Sequence, residues 1–506
     1  MIFLLLFTTF GSWLFHELYW KRRTLPPGPT PLPLFGNILA LSAEKPGYEA
    51  FRKWTKVYGD VFTFWMGTKP YIIISSYSRL KETFIRDGET YMNKVQLHFQ
   101  EFIRDGYYGV IAETNGEFWS THRRFALSTL RNFGMGRDLI QEKILIEVED
   151  MFKKLDEDIE KEQEINPVFN NAVANINNQL IFGYRFEKEK LKELEKTELM
   201  EYQEKFFTTF RTNFQIFVPQ LAWLIPGKTL EEGLVDWKTD FFDFFHKQIK
   251  AHREKIDLDS DESQDYAEAY LKEQKRRIKD GDKETFSDKQ LSNMCLDLWF
   301  AGLSTTSITL TWTITYILHN PDVQKKLHEE LDRVVGNNRL ISTSDKPELQ
   351  YMNAVINESH QCVNLVPVNL FHCTSRDTVL NGYQVPKDTG VIAQISTVML
   401  DEEVFPDPYK FNPDRFIDEN GKLKKVEVLC PFSVGKRQCL GEGLASMELF
   451  LLVANFVNRY KIKPYVHGLP SLDKSKNVTV VPRKVVAKLI RRHVQIDGLF
   501  VKNYFE

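Results

Sequence analysis

The chain has 506 residues, a formal net charge of −3, 42% apolar residues and 27% charged residues. That balance fits a globular protein with a sizeable core, and it lacks the basic surplus of nucleic-acid binders, so nucleic acid is excluded as a partner. The five cysteines, Cys295, Cys362, Cys373, Cys430 and Cys439, are odd in number and widely spaced, which does not make a disulfide framework and fits a reducing compartment.

Residues 1–20 predict a membrane anchor. The apolar run covers Met1 to Phe15, and Glu17 interrupts it. Counting to Trp20 reaches the roughly 17–25 residues of a spanning helix, with Trp13, Tyr19 and Trp20 as interfacial residues. No cation precedes the run, whereas Lys21, Arg22 and Arg23 follow it. That order argues against a cleaved signal peptide and keeps the rest of the chain on the cytoplasmic side. Residues 21–37 form a basic, Pro-rich linker, and its stretch LPPGPTPLPLFGN is a stiff extended connector. Residues 38–506 then read as a single domain.

From Val61, VFTFWMGTKPYIIIS predicts a hairpin around Gly67, Thr68, Lys69 and Pro70. Elsewhere long helical patterns dominate and no repeat appears, so the fold class is mainly α with small β-sheets. WSTHRRF sets Trp119 and Arg123 four apart on one helix face. Residues 206–227 are aromatic-rich and Pro-interrupted, which suits a helix core and turn or the wall of an apolar pocket. The chain carries 38 phenylalanines. Residues 257–282 are charge-rich and read as an exposed connection.

The longest helix is predicted from Ser287, with Gln290 completing a capping box, to His319. At about 1.5 Å per residue it spans roughly 48 Å and must be buried. Its middle, AGLSTTSITLTWT, is rich in hydroxyl residues. Those are mediocre helix formers, whose side chains either bond back to helix carbonyls or serve another purpose. Asn320 and Pro321 start the next helix, and Gly336 ends it. Further on, His360, Cys362, His372 and Cys373 raise the question of zinc, but their spacing departs from the two-to-four-residue gaps of structural zinc pairs.

FSVGKRQCLG, residues 432–441, precedes an amphipathic helix beginning around Leu440. A Cys439 thiolate there would be stabilised by the helix dipole and its free N–H groups. Gly435 permits a tight turn and Gly441 the close approach of a flat ligand. Arg437 offers a fork suited to a carboxylate. This set suits a haem, with thiolate on iron and arginine on a propionate. The pattern F-x-x-G-x-R-x-C-x-G arises by chance in a chain of this length on the order of once in ten thousand sequences.

That pattern resembles the cytochrome P450 haem-thiolate family, of the microsomal, N-terminally anchored type, and the similarity covers nearly the whole chain. The resemblance implies a cytochrome P450 fold with a long central helix over the haem, and 38–506 as one catalytic domain. It implies a monooxygenase of the endoplasmic reticulum membrane, its catalytic domain cytosolic. Such an enzyme inserts one atom of O2 into a small lipophilic substrate of the xenobiotic, fatty acid or steroid class. Electrons would come from NADPH through NADPH-cytochrome P450 reductase, with cytochrome b5 as a further partner. Cys439 would be the axial iron ligand, in a loop with Phe432, Gly435 and Gly441. Trp119, Arg123, His372 and Arg437 would hold the propionates. Gly302 would leave room for oxygen, and Thr305 matches the alcohol that hydrogen-bonds it. Residues 206–227 would roof the substrate pocket and touch the bilayer. Lys436, Arg437, Arg123 and Arg124 would offer a basic face to an acidic reductase.

Two positions depart from the family pattern. Arg415, in FNPDRF, should pair with the glutamate of an E-x-x-R motif, but here that motif reads ESHQ. Glu358 is present, while Gln361 replaces the arginine and is expected to donate to Glu358 instead. In the A-G-x-[D/E]-T-T pattern of the long helix, Ser304 replaces the acid that helps relay protons. Both departures keep open a haem-binding protein with impaired or no monooxygenase activity. A reductase-independent isomerase or dehydratase of oxygenated lipids is the other alternative, and the retained Thr305 speaks for oxygen activation.

Overall fold

The computed structural model describes residues 2–44, 48–114, 116–133, 138–186, 209–217, 219–260, 262–336, 339–366, 368–466, 468–474 and 479–492. Its helices, in chain order, begin with α1 (Ile2–Leu18), α2 (Ile38–Ala43), α3 (Tyr48–Tyr58), α4 (Tyr77–Leu80), α5 (His98–Arg104), α6 (Gly116–Asn132), α7 (Asp138–Glu157) and α8 (Ile165–Phe182). They continue with α9 (Phe210–Phe217), α10 (Leu230–Lys255), α11 (Tyr266–Lys279), α12 (Asp288–His319), α13 (Pro321–Val334), α14 (Gln350–Val363), α15 (Ile395–Met399) and α16 (Glu442–Arg459). Three small sheets accompany them, so the fold is mainly helical.

The largest sheet has five strands, β1 (Val61–Met66), β2 (Lys69–Ile74), β3 (Asn93–Lys94), β5 (His372–Cys373) and β8 (Gly390–Ala393), in the order β1-β2-β8-β5-β3. The predicted hairpin is its first pair, registered from Val61 opposite Ile74 to Met66 opposite Lys69. The turn itself is only Gly67-Thr68, with Gly67 at φ 62°. Lys69 and Pro70 belong to the strand because Pro70 faces Trp65 across the pair. A second sheet joins β4 (Gln163–Glu164), β10 (Val486–Arg491) and β9 (Tyr460–Pro464), and β6 (Thr378–Leu380) pairs with β7 (Tyr383–Val385).

Helix α12 organises the helical part. It has 32 residues, about 48 Å, and its side chains from Thr306 to Leu318 are all buried. The Ser287 hydroxyl accepts from the Gln290 N–H at 3.2 Å, as expected of a cap. The Gln290 side chain does not return the bond: its Oε1 accepts from the Gly109 N–H at 2.8 Å and ties the loop after α5 to α12. Most of the hydroxyls in the middle of α12 bond back one turn: Thr305 to Ala301, Ser307 to Leu303, Thr309 to Thr305 and Thr311 to Ser307, at 2.7–2.9 Å. Back-bonding satisfies these groups inside the core, where water cannot reach them.

One expectation changes here. Residues 257–282 are not simply a connection, because α11 lies within them and buries Tyr266, Ala267, Tyr270 and Leu271. Those positions fall on one face at helical spacing, a stripe masked in the sequence by the surrounding charges. At the N-terminus, α1 is 17 residues long, about 26 Å, and the chain leaves it in a short 3-10 turn at Trp20–Arg22. Among the described residues no helix is long and apolar enough to cross a membrane. Of residues 206–227, 206–208 and 218 lie outside the described residues. The remainder forms α9 and a 3-10 turn (Pro219–Leu224), with Trp223 77% and Leu224 53% exposed.

Candidate active site

The cysteine loop is held by its own backbone. The Cys439 N–H donates to the Phe432 carbonyl at 3.0 Å, and the Gln438 N–H to the Gly435 carbonyl at 3.1 Å. Gly435 has φ +81°, and a Cβ there would overlap the Phe84 carbonyl oxygen, so only glycine fits this turn. Gly441 sits just before α16, and a Cβ there would meet no protein atom within 4 Å. The Phe432 ring packs edge-on against His360, centroids 5.3 Å apart.

Cys439 is the exposed cysteine of this chain, and the other four are buried. The residue is exposed, while the atoms packed around its thiol still desolvate it. Burial is therefore the largest influence and pushes the thiol above its ordinary value. The N–H groups of Gly441 and Glu442, at the start of α16, and the Arg123 guanidinium pull the other way. These are groups that favour a thiolate over a thiol.

A cluster of cations lies beside this loop. The Arg437 guanidinium stands over the Trp119 ring at 3.9 Å. It donates to the carbonyls of Met92, Val110 and Glu113 at 2.8, 3.3 and 2.7 Å. Arg123 donates to the Gln438 carbonyl at 2.6 Å and lies 5.5 Å from the Trp119 ring. His372, on β5, meets the Lys94 Nζ at 3.1 Å through Nε2 and the Tyr91 carbonyl at 3.0 Å through Nδ1. Burial drives Arg437 down to about 9, and burial together with Arg437 holds both Lys94 and His372 well below their ordinary values. The Glu113 carboxylate acts on Arg437, and the buried Trp119 Nε1 has no partner. Crowded basic side chains and an orphan indole N–H suit an anionic group. The carboxylates of a haem are such groups, so the residues present fit the haem. Lys94 escaped the sequence reading, since a lone lysine on a short strand gives no signal until β3 pairs with β5 and sets it beside His372.

In α12, Thr305 lies half-buried with its hydroxyl on the Ala301 carbonyl at 2.7 Å, and Ser304 is buried. Gly302 faces a neighbouring helix. A Cβ there would approach the Asn177 Oδ1 of α8 to 2.7 Å. The space that glycine provides is thus taken by the α8 amide.

Glu358 and Arg415 are brought together, with Arg415 Nε 3.0 Å from Oε2 and 3.2 Å from Oε1. The closer oxygen is off the donor axis, leaving Glu358 Oε2 without a hydrogen bond. The Asn412 N–H adds a bond to Oε1 at 2.6 Å. Gln361 is buried beside them but does not donate to Glu358. Its amide donates instead to the carbonyls of Met399 and Pro408, at 2.9 and 3.0 Å. Two unpaired carbonyls in the core are a stronger demand than a carboxylate that already has Arg415 and Asn412. With one cation where the pattern offers two, burial raises the Glu358 carboxyl to about 7.

Comparison with known proteins agrees with this arrangement. The family described as Cytochrome P450 matches residues 26–489. The chain is 35% identical over 479 residues to Cytochrome P450 2H2 of Gallus gallus, covering 93% of this chain and 94% of that protein. It is 34% identical over 476 residues to Cytochrome P450 2C23 of Rattus norvegicus, covering 91% and 94%. With Cytochrome P450 2C8 of Homo sapiens it shares 33% over 488 residues, covering 92% and 93%. Full-length similarity at this level, joined to an accessible cysteine at the head of α16, shows that the chain belongs to the cytochrome P450 family and is a monooxygenase.

Proposed function

We propose that the chain is a haem-thiolate monooxygenase that oxidises a small lipophilic substrate of the xenobiotic, fatty acid or steroid class. NADPH supplies the electrons through NADPH-cytochrome P450 reductase, with cytochrome b5 as a second donor. The haem, when bound, supplies activation of O2, and the thiolate donates electron density that favours O–O cleavage.

The observation that carries this reading is the accessible Cys439 at the head of α16, where the N–H groups of Gly441 and Glu442 favour a thiolate. In this reading Cys439 is the iron ligand. Trp119, Arg123, His372, Arg437 and the added Lys94 hold the propionates. Phe432, Gly435 and Gly441 shape the loop. Thr305, whose hydroxyl rests on the Ala301 carbonyl, would turn that proton to oxygen, which can only accept. Ser304 and Gly302 flank it, and Glu358, Gln361 and Arg415 support the loop from behind.

Membrane attachment through α1 is part of the proposal. Leu5, Phe7, Phe10 and Phe15 on that helix are 55–76% exposed, an apolar surface that a bilayer would cover. The catalytic part would face the cytosol at the endoplasmic reticulum.

The test is reconstitution with the reductase, following NADPH consumption and oxygen from isotope-labelled O2. Labelled product with matching NADPH use supports a monooxygenase. NADPH use with peroxide alone, or product formed without NADPH, would replace it with the impaired or the isomerase reading.

A further inference from the structure

Helix α14 carries Glu358 and Gln361, and its last turn touches the cysteine loop. The His360 ring meets Phe432 edge-on, centroids 5.3 Å apart. The Phe432 carbonyl accepts from the Cys439 N–H at 3.0 Å. The end of α14 is thus one side-chain contact away from the backbone of Cys439. A helix leaves its final carbonyls without partners of its own, and its C-terminus favours a cation. Asn364, left-handed at φ 50°, closes the turn by donating its N–H to the His360 carbonyl at 3.1 Å. That leaves the Cys362 carbonyl to be met from outside the helix. No cation comes from α14 itself. His360 is the basic residue of its last turn, and burial pushes that imidazole down to about 4. Gln361 is neutral where the family pattern has an arginine.

The cation arrives from a distant part of the chain. Lys474, 112 residues further on, donates from Nζ to the Cys362 carbonyl. The same Nζ donates to the Tyr48 hydroxyl of α3 at 2.9 Å and stands over the Tyr48 ring, 5.4 Å from its centroid. Burial lowers Lys474 to about 8, so it keeps its charge at pH 7. An apolar side chain would fill this place without desolvating an ammonium, so packing alone does not account for a lysine here.

We infer that Lys474 is a positioning residue for the thiolate ligand, because it caps the end of α14 and so fixes His360 against Phe432 of the cysteine loop. The route runs from the Lys474 ammonium to the Cys362 carbonyl, through the last turn of α14 to the His360 ring, and from Phe432 to the Cys439 N–H. Lys474 bonds the helix backbone and leaves Glu358 to Arg415, so it adds a second tether to α14 and does not replace the missing arginine atom for atom. The inference rests on the reading of Cys439 as the iron ligand.

The experiment uses the full-length haem-loaded protein at pH 7. Lys474→Met keeps the length of the side chain and removes the ammonium. Two quantities are read, amide hydrogen exchange over residues 360–364 and the carbon monoxide difference spectrum after dithionite reduction. The spectrum gives the fraction of bound haem that shows the long-wavelength thiolate band. In Lys474→Met, exchange should quicken roughly tenfold, as the loss of one hydrogen bond from a charged donor implies, and the thiolate fraction should fall several-fold. Lys474→Arg, which still brings a cation to the carbonyl, should restore both. His360→Ala should lower the thiolate fraction while exchange over 361–364 stays as in the parent. Adding Lys474→Met to His360→Ala should lower that fraction no further, because both residues act on one route. A lysine that only stabilises the fold would quicken exchange and leave the thiolate fraction of the bound haem unchanged, and that result would overturn the inference. So would unchanged exchange, failure of arginine to restore, or additive losses in the double variant. A parent protein that binds haem without the thiolate band would overturn the reading of Cys439 instead, and the exchange result would still decide whether Lys474 caps α14.

Discussion

Gln361→Arg tests the weakest support of the cysteine loop. Glu358 is 0% exposed and relies on Arg415 as its cation. Its folded value of about 7 stands above the ordinary 4.5, so the folded state holds this proton more tightly than the unfolded state does. The associated stability is fully present below about pH 4.5 and is lost as pH rises through about 7. A gap of about 2.5 pH units amounts to about 3 kcal/mol. For a domain of this size that is a change in Tm of about 3 °C. A second guanidinium at position 361 could keep the carbonyls of Met399 and Pro408 and add charge beside Glu358. It should pull the carboxyl back toward its ordinary range and remove the loss. Differential scanning calorimetry of the parent and Gln361→Arg at pH 5 and pH 8 reads this directly. The expected result is a Tm advantage of the variant larger at pH 8 than at pH 5, by about 2–3 °C. Strain from the larger side chain would offset both values alike. A difference that does not change with pH, or that is larger at pH 5, would refute the reasoning.

Other expectations follow from the same geometry. Lys94→Met should weaken haem retention several-fold, read as haem-to-protein ratio after gel filtration, because one cation of the propionate cluster is gone; an unchanged ratio would remove Lys94 from it. Thr305→Val keeps the shape of α12 but loses the hydroxyl in the cleft, so peroxide released per NADPH should rise with Tm little altered, and a fall in Tm of several degrees without extra peroxide would assign it to packing. Lys436 is exposed and paired with Glu89, and Lys436→Glu should slow reduction by the reductase more at low salt than at high salt. A rate equally slowed at all salt concentrations would place the docking face elsewhere.

The sequence made local features legible. Ser287, Asn320 and Pro321 bounded α12 because caps act within a few residues of the helix end. The cysteine loop was legible because its glycines and its arginine lie within ten residues of Cys439. Contacts made across the fold were not. Gln361 reaches carbonyls 38 and 47 residues away, and nothing near it in the chain announces them. Gly302 faces Asn177 through helix packing that periodicity alone does not assign to partners. Lys94 joined the cation cluster only through the pairing of β3 with β5. In each case the chemistry of the residue was visible and its partner was not.

The central claim is that Cys439 holds a haem iron as thiolate. The most direct measurement is the carbon monoxide difference spectrum of the dithionite-reduced full-length protein, beside Cys439→Ser. The account predicts a Soret band at the long-wavelength position that a thiolate ligand gives, lost in Cys439→Ser. A protein that binds haem but lacks that band, or keeps it in Cys439→Ser, would contradict it.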